Sequence, residues 1–597
     1  MSTKKRKHEI KIRSIRHCIG AVCIGIVLLT CRLTAQVHVQ DVEIYGLEQL
    51  PKSAVMKAAG LVKKQPLPET WPDSSFQSLI FYFSQQGFYQ ARIDSFVLRY
   101  LGDSTRIHIS LWLHEGERVR IREYQINGLP DGFDEEIHRF LSLDIQAEFD
   151  EKSLIRDIEK ILITLENHGY PLAEVNLKSL NYDPKGNIID IALSVKSGPK
   201  VYINRFDIRG NEHTRRSVIL REIRFKPGQI YRHEAIQTIS EDLQRLGFFE
   251  QVDAPAVYFI QDQAIITVHL REGNPNTLDG IVGYTPSSDP ERPGYFTGQL
   301  HFLFRNLAGT GRFFEAFWEK KDKYSQAMRF GYEEPWFQGK PVHIGGYFTQ
   351  EIRDTTYIDR GWRIRVRYTP SATLSLSVEG GQREILPDSL GSIMYGLAQT
   401  RSWVGTLGLD YTTFDDPMNP RKGVRYHTAA TFGRKRNLGP VFMDTIPEWR
   451  DPVNTRHIQA DAEFVLPVFN VQAVFIGLHG QEVRSGKYVP LSEQIRFGGT
   501  HSLRGYAEDQ FRGHLVAWFN LEYRYLFGHR SRVFTFVDGG MYERREREQG
   551  LIRGDNVGYG FGIRLETRLG VIGVDYGLGQ GDGLMQGKVH VGLVNWF

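Results

Sequence analysis

Metalloprotease chemistry needs two histidines four residues apart on a helix, with a glutamate between them. Acyl transfer needs a serine on a glycine-flanked elbow, and phosphate chemistry needs a glycine-rich loop ending in lysine. None of these spacings occurs in the 597 residues. Gly558-Tyr559-Gly560-Phe561-Gly562 is glycine-rich, but it lies in alternating strand texture and reads as strand packing. The 19 histidines form no ligand-spaced cluster and read as interfacial or solvated. The sequence therefore assigns no catalytic, cofactor-binding or metal residues, and it reads as a non-enzyme that needs no cofactor.

The charge points the same way. The formal net charge is +4, but residues 1–36 hold eight basic side chains against Glu9 alone. Taking those eight from the 74 Lys/Arg, and Glu9 from the 70 Asp/Glu, leaves a net of −3, which gives no case for nucleic acid as a partner. A basic start, an apolar run from Cys18 to about Thr30 and the small residues of Leu33-Thr34-Ala35 predict a secretory signal over 1–36. Lipidation at Cys31 is the alternative, but Thr30 and Leu29 fit that signal poorly. Cys18, Cys23 and Cys31 are the three cysteines of the chain, so cleavage after Ala35 would leave none to misoxidise. No other segment approaches a transmembrane helix, so any membrane span must be a closed barrel.

The first half of the chain is a tandem array. Ile44-Tyr45-Gly46 recurs as Ile126-Asn127-Gly128 and Ile208-Arg209-Gly210, each step being 82 residues. Gly87-Phe88-Tyr89, Gly169-Tyr170-Pro171 and Gly247-Phe248-Phe249 form a second set of landmarks, and Gly116, Gly198 and Gly273 a third. Short alternating strands precede the first landmark, and Gly46, Gly128 and Gly210 read as turn glycines. Apolar stripes with helical period follow, as in Leu154, Ile158, Ile161, Leu162 and Leu165, or Ala235, Ile239, Leu243 and Leu246. Two more strands, such as Ile189–Val195 and Ile265–Leu270, complete a β-α-α-β-β unit. The predicted boundaries are 37–117, 118–199 and 200–273.

From residue 274 to 597 the helical period disappears, and short alternating runs separated by turns take over. Examples are Ile364–Tyr368, Leu374–Val378 and Val571–Tyr576. Segments of roughly ten residues alternating in polarity are the signal of a transmembrane antiparallel β-barrel, and this length predicts about 16 strands. A soluble β-sandwich array fits less well with an export signal and one uninterrupted β region.

At this point the chain resembles the BamA/TamA-type outer-membrane assembly and translocation superfamily, over essentially its whole mature length. The repeats look like POTRA domains, most closely the third, with Ile208-Arg209-Gly210-Asn211, Thr214 and Leu246–Val252. Asn306-Leu307-Ala308-Gly309-Thr310-Gly311, Tyr332–Phe337 and Asp415–Gly423 resemble signatures of the family's barrel. Gly498–Tyr506 is the most specific match. The resemblance implies that Arg504, Gly505 and Tyr506 are the tip of a long loop folded back into the lumen. It further implies that Asp538, in Phe536-Val537-Asp538-Gly539-Gly540, receives the arginine, with Glu522 as a second acidic partner. A guanidinium inside a barrel needs such partners, since its planar fork matches a carboxylate and an unpaired buried charge is costly. Val589, Val591, Leu593 and terminal Phe597 look like the family's insertion signal, although Asn595 interrupts their face.

The implied function is the assembly or translocation of outer-membrane proteins, with clients received on the repeats by β-augmentation. A seam between the strand carrying Gly280 and Gly283 and the strand Val589–Phe597 would be the exit. The implied partners are the outer-membrane bilayer and nascent outer-membrane or exported proteins, with room for periplasmic or inner-membrane accessory proteins. A transporter dedicated to one exported protein is the alternative, and a passive pore leaves the repeats unexplained.

Overall fold

The computed structural model describes residues 37–594, except 68–69, 103–105, 274–275, 286–293, 355, 417–418, 441–451, 487, 529, 547–549 and 568–569. The expected signal segment, its cysteines, Asn595 and Phe597 lie outside the described residues.

The described residues begin with three small units, in each of which the last strand is central and parallel to the first. The first contains β1 (His38–Tyr45), α1 (Lys52–Ala58), α2 (Asp73–Gln85), β2 (Arg92–Leu101) and β3 (Arg106–His114), with β3 central and parallel to β1. The second repeats this with β4 (Arg120–Asn127), α3 (Asp134–Phe140), α4 (Glu151–Asn167), β5 (Glu174–Asp183) and β6 (Ile188–Lys196), β6 being central. Alternation decides which face is covered: Ile107, Ile109, Leu111 and Leu113 of β3 are buried. In α4 the expected stripe buries Leu154, Ile161 and Leu165.

The third unit departs from the expected β-α-α-β-β plan. It contains β7 (Tyr202–Arg209), α5 (Arg216–Ile223), α6 (His233–Gln237), α7 (Ile239–Gln244), β8 (Phe249–Val252), β9 (Ala256–Ile260) and β10 (Gln263–Glu272). Pro255 separates β8 from β9, although both pair with β10, because proline cannot donate to a ladder. The second helix divides at Thr238, whose hydroxyl bonds back to the Ala235 carbonyl at 3.2 Å.

The repeated glycines are more than turns. Gly46, Gly128 and Gly210 have φ of +89°, +88° and +92°, and a Cβ on each would lie 1.8, 2.3 and 1.9 Å from the carbonyl oxygens of Leu113, Val195 and Leu270. The chain leaving the first strand crosses the central strand there in backbone contact, which only glycine permits. Two carboxylates fasten the same crossing. Glu115 accepts from the amides of Gln49 and Leu50, and Glu272 from those of His213 and Thr214.

Beyond the third unit the described residues form one antiparallel sheet of sixteen strands. Its strands are β11 (Thr277–Thr285), β12 (Tyr295–Leu307), β13 (Arg312–Lys320), β14 (Gln326–Glu334), β15 (Val342–Arg353), β16 (Tyr357–Tyr368), β17 (Leu374–Pro387), β18 (Gln399–Thr412), β19 (Gly423–Gly439), β20 (Val453–Phe469), β21 (Gln472–Ser485), β24 (Leu515–Leu526), β25 (Arg532–Glu546), β26 (Gly550–Thr567), β27 (Gly570–Gly579) and β28 (Lys588–Val594). A helix, α8 (Ser389–Tyr395), follows β17. A hairpin, β22 (Ile495–Phe497) and β23 (Phe511–Gly513), lies in the connection between β21 and β24. The polarity is inside out. Trp362, Ile364, Val366 and Tyr368 of β16 are exposed, whereas Arg363, Arg365 and Arg367 between them line interior cavities. That is the two-faced alternation of a membrane barrel. No helix among the described residues is long and apolar enough to cross a membrane.

Candidate functional site: the lumen latch and the base of the barrel

The connection between β21 and β24 folds into the lumen and ends on a buried ion cluster. Arg504 Nε donates to Asp538 Oδ2 at 2.7 Å and Nη2 to Oδ1 at 2.8 Å, and the Arg504 amide also reaches Oδ2 at 3.1 Å. Nη1 donates to Glu522 at 2.7 Å, and Arg524 takes the other Glu522 oxygen at 2.8 Å. The guanidinium carbon sits 3.8 Å from the centroid of the Phe536 ring. Asp538 is fully buried, with Arg504 and Glu522 nearly so. Two carboxylates and two arginines thus balance where neither sign could stand alone. The structure brings together Arg504, Asp538 and Glu522, the three residues singled out by the resemblance.

The seat for this tip is made of glycine, and the Gly558–Gly562 run packs against the loop as well as against its neighbouring strands. A Cβ at Gly558 would lie 1.9 Å from the Arg504 carbonyl oxygen, and one at Gly577 2.6 Å from the Gly505 amide. Gly505 has φ +91°, and its own Cβ would strike the Leu578 carbonyl at 2.6 Å. Loop and wall therefore meet backbone to backbone. Tyr506 completes the contact, donating to the Val557 carbonyl at 3.0 Å and accepting from the Gln580 amide at 2.9 Å.

A second anchor, absent from the sequence reading, holds the other end of the loop to a different wall. Lys435 of β19 is almost fully buried, donating to Glu493 at 2.7 Å and to Ser485 at 2.6 Å. Arg383 of β17 holds Asp359 through both Nε and Nη2 and reaches the Ser492 carbonyl at 3.3 Å. Leu491 packs with Tyr357, Ile385 and Leu397.

At the short-turn end, the third unit docks on the barrel through the motifs that carried the resemblance. Asn306 donates to the Thr214 hydroxyl at 2.8 Å while accepting from the Gly311 amide at 2.7 Å. The Arg215 amide donates to the Gly309 carbonyl at 2.9 Å, and a Cβ on Gly309 would lie 2.0 Å from the His213 carbonyl. Trp336 donates to Glu222 at 2.6 Å and lies under Arg224, which also donates to the Thr369 carbonyl at 2.6 Å. Arg245 reaches the Phe414 carbonyl at 3.4 Å. Four successive turns are thereby tied to α5 and to the residues flanking α5 and α7.

Above this interface lies a cavity of about 960 Å³ with charged walls, into which Arg305, Arg365, Asp410, His427, Asp461 and His479 face. The expectation that the histidines are interfacial or solvated fails for His343 and His479, whose side chains are largely buried. His343 is buried beside Glu333 and Thr369, His427 bonds Asp410 at 2.6 Å, and His479 bonds Asp461 at 2.7 Å. A polar lumen offers them carboxylates that a count of lone histidines cannot reveal. Among the described residues no group of three or more His, Cys, Asp or Glu is placed to hold a metal.

The seam residues lie on the two end strands. Gly280 and Gly283 of β11 pair with Leu300 and Thr297 of β12, and those two side chains lean over the positions the glycines leave open. Cross-strand side chains of β12 therefore cover both glycines. Val589, Val591 and Leu593 of β28 pair with Tyr576, Val574 and Ile572 of β27. Among the described residues no ladder joins β11 to β28.

A polar-lined barrel with a latched lumen loop, and a β-α-β repeat docked beneath its turns, defines a repeat-bearing membrane barrel. Residues 306–593 match the Omp85 superfamily domain, and residues 119–198 and 201–273 each match POTRA, the surface antigen variable number repeat. The chain belongs to the Omp85 superfamily, in the BamA/TamA-type arrangement. It is 24% identical over 552 residues to the outer membrane protein assembly factor BamA of Nitratidesulfovibrio vulgaris, covering 82% of this chain and 64% of that protein. The same factor of Neisseria meningitidis is 24% identical over 268 residues, covering 44% of this chain and 32% of the relative. The chain thus spans less than two thirds of these relatives' length. Among solved structures, CdiB from Escherichia coli aligns with a TM-score of 0.49 and 14% identity, covering 80% of this chain and 90% of that one.

Proposed function

We propose that this protein is an outer-membrane assembly factor that inserts or translocates other proteins, with residues 37–117, 118–199 and 200–273 as three periplasmic POTRA domains. The reading starts from the relatives, which are named outer membrane protein assembly factors. The observation that carries it is the lack of a ladder between β11 and β28 among the described residues. Two strand edges with unpaired amides and carbonyls can template an incoming strand. The β2 and β5 edges of the first two units offer clients the same main-chain pairing, and the third unit hands them to the barrel turns it touches. The Arg504 latch holds the lumen loop in place during this work.

Depletion of the protein, followed by an inventory of outer-membrane proteins, tests the proposal. Loss of many barrel proteins is the expected result. Loss of a single exported protein would instead make this a dedicated transporter.

A further inference from the structure

The outer face of β16–β21 carries a charge pattern that neither the latch nor the docked repeat uses. Trp362, Trp403 and Phe432 point away from the lumen, since their strand neighbours Gly361, Ser402 and Thr431 line an interior cavity. One outward step farther from the third repeat, each of these strands bears arginine: Arg360 on β16, Arg401 on β18, and Arg434 with Arg436 on β19. β20 places Arg456 one such step beyond Ile458, and β21 adds Arg484 directly opposite Arg456.

Among the described residues two carboxylates answer these arginines on the same face. Glu384 receives Arg360 at 2.7 Å and Arg401 at 2.6 Å, and Glu482 receives Arg456 at 2.9 Å and Arg484 at 2.6 Å. Between the two Arg–Glu–Arg triads stand Arg434 and Arg436, exposed and without an ion pair among the described residues. The row therefore carries an excess of four positive charges across six adjacent strands.

Arginine on a lipid-facing wall is tolerated at the interface and not in the hydrocarbon, and tryptophan marks that interface. The row is thus at headgroup level, on the leaflet away from the docked repeat. Guanidinium forks bind phosphate in pairs of parallel hydrogen bonds, and each shared carboxylate leaves donors of both its arginines unused. In strand order this wall lies farthest from β11 and β28.

We propose that the arginine row binds the phosphate-bearing headgroups of outer-leaflet lipids, holding anionic lipid against the wall opposite the seam. The inference rests on the reading of this sheet as an outer-membrane barrel. The test uses the full-length protein in phosphatidylcholine vesicles doped with bisphosphorylated lipid A or its dephosphorylated form, with inorganic phosphate as competitor. The phosphorylated lipid should bind about tenfold more tightly than the dephosphorylated one and lose affinity as salt rises. The double variants R434Q/R436Q and R360Q/R401Q should each weaken it by about tenfold. Equal binding of the two lipids, undiminished binding by both variants, or displacement by inorganic phosphate at matched concentration would overturn the proposal. Heat-modifiable gel mobility of the same samples separates two kinds of failure. A folded, inserted barrel indifferent to phosphate sinks only this inference, whereas a chain that never inserts sinks the barrel reading with it.

Discussion

Arg504 meets Asp538 at three points, through Nε, Nη2 and the backbone amide, so one carboxylate fixes both the side chain and the main chain of the loop tip. A side chain bound in this way can rotate only if the backbone moves with it. Loop position and ion pairing are therefore one variable.

Removing the guanidinium leaves Asp538 buried without its main partner, a local cost of about 3–5 kcal/mol. Arg504→Ala should leave the barrel inserted and heat-modifiable, make the loop sensitive to added protease, and impair complementation. Arg504→Lys should behave alike, because an ammonium cannot span both Asp538 oxygens. Wild-type protection and growth in both variants would remove the latch from the mechanism.

The glycine seat gives an independent handle on the same variable. Gly558→Val forces a side chain into the space of the Arg504 carbonyl, 1.9 Å from the ideal Cβ. Loop protection should fall as it does in Arg504→Ala, and the double variant should be no worse than either single one. Additive losses would mean that wall and ion cluster act separately.

At the base of the barrel, Asn306→Ala removes the acceptor of the Gly311 amide and the donor to Thr214. The docking contact should weaken by about 1–3 kcal/mol. Hydrogen exchange at residues 211–216 should accelerate in the full chain while the strands keep their protection. Deletion of 200–273 should then abolish activity, with deletion of 37–117 only reducing it. The opposite ranking in complementation would show that the first repeat carries the essential contact.

Acid should loosen the same corner. Burial would raise the Glu272 carboxyl, but hydrogen bonds from Thr214 and His213 outweigh it and hold the group below its ordinary value of 4.5. A lowered folded value means that the stabilisation is complete above 4.5 and is lost as pH falls through the lower, folded-state value. Protection of the amides at residues 211–216, measured against their intrinsic exchange at each pH, should fall below that pH in the native chain. Glu272→Gln should exchange faster at neutral pH and lose the acid step, and an acid step that persisted would move its source elsewhere.

If the seam is the exit, a disulfide engineered between β11 and β28 should block activity in the inserted protein, and reduction should restore it. The only cysteines of the chain are Cys18, Cys23 and Cys31, inside the expected signal segment. Equal activity of the oxidised and reduced forms would redirect the client through the lumen.

Local periodicity made individual helices and strands legible, because a two-residue or 3.6-residue pattern is written in consecutive residues. The repeats are read instead from landmarks 82 residues apart, and the strand number from length. The Arg504–Asp538 pair, 34 residues apart, was reachable only through family resemblance. Thr214 and Asn306 were both visible as motif residues, but nothing local joins positions 92 apart. The glycine seat had left a signal in the alternate placing of Gly558, Gly560 and Gly562 on one face of β26. Pro255 likewise announced the broken edge of the third unit. The anchor at Lys435 and Glu493 and the outer arginine row left none, since both depend on register and on which face is lumen.

The two anchors of the lumen loop have a mechanical consequence. Among the described residues the end strands are not laddered together, and a barrel left open there is a ring that can spread by bending. The loop is a chord across that ring, pinned at one end to β17 and β19 by Arg383 and Lys435, and at the other to β24–β27 by the Arg504 cluster and the glycine floor. A chord of fixed length sets the separation of the walls it joins. If the edges part, the chord comes under tension and loads both pins, so the width the edges can reach is set by the weaker of the two.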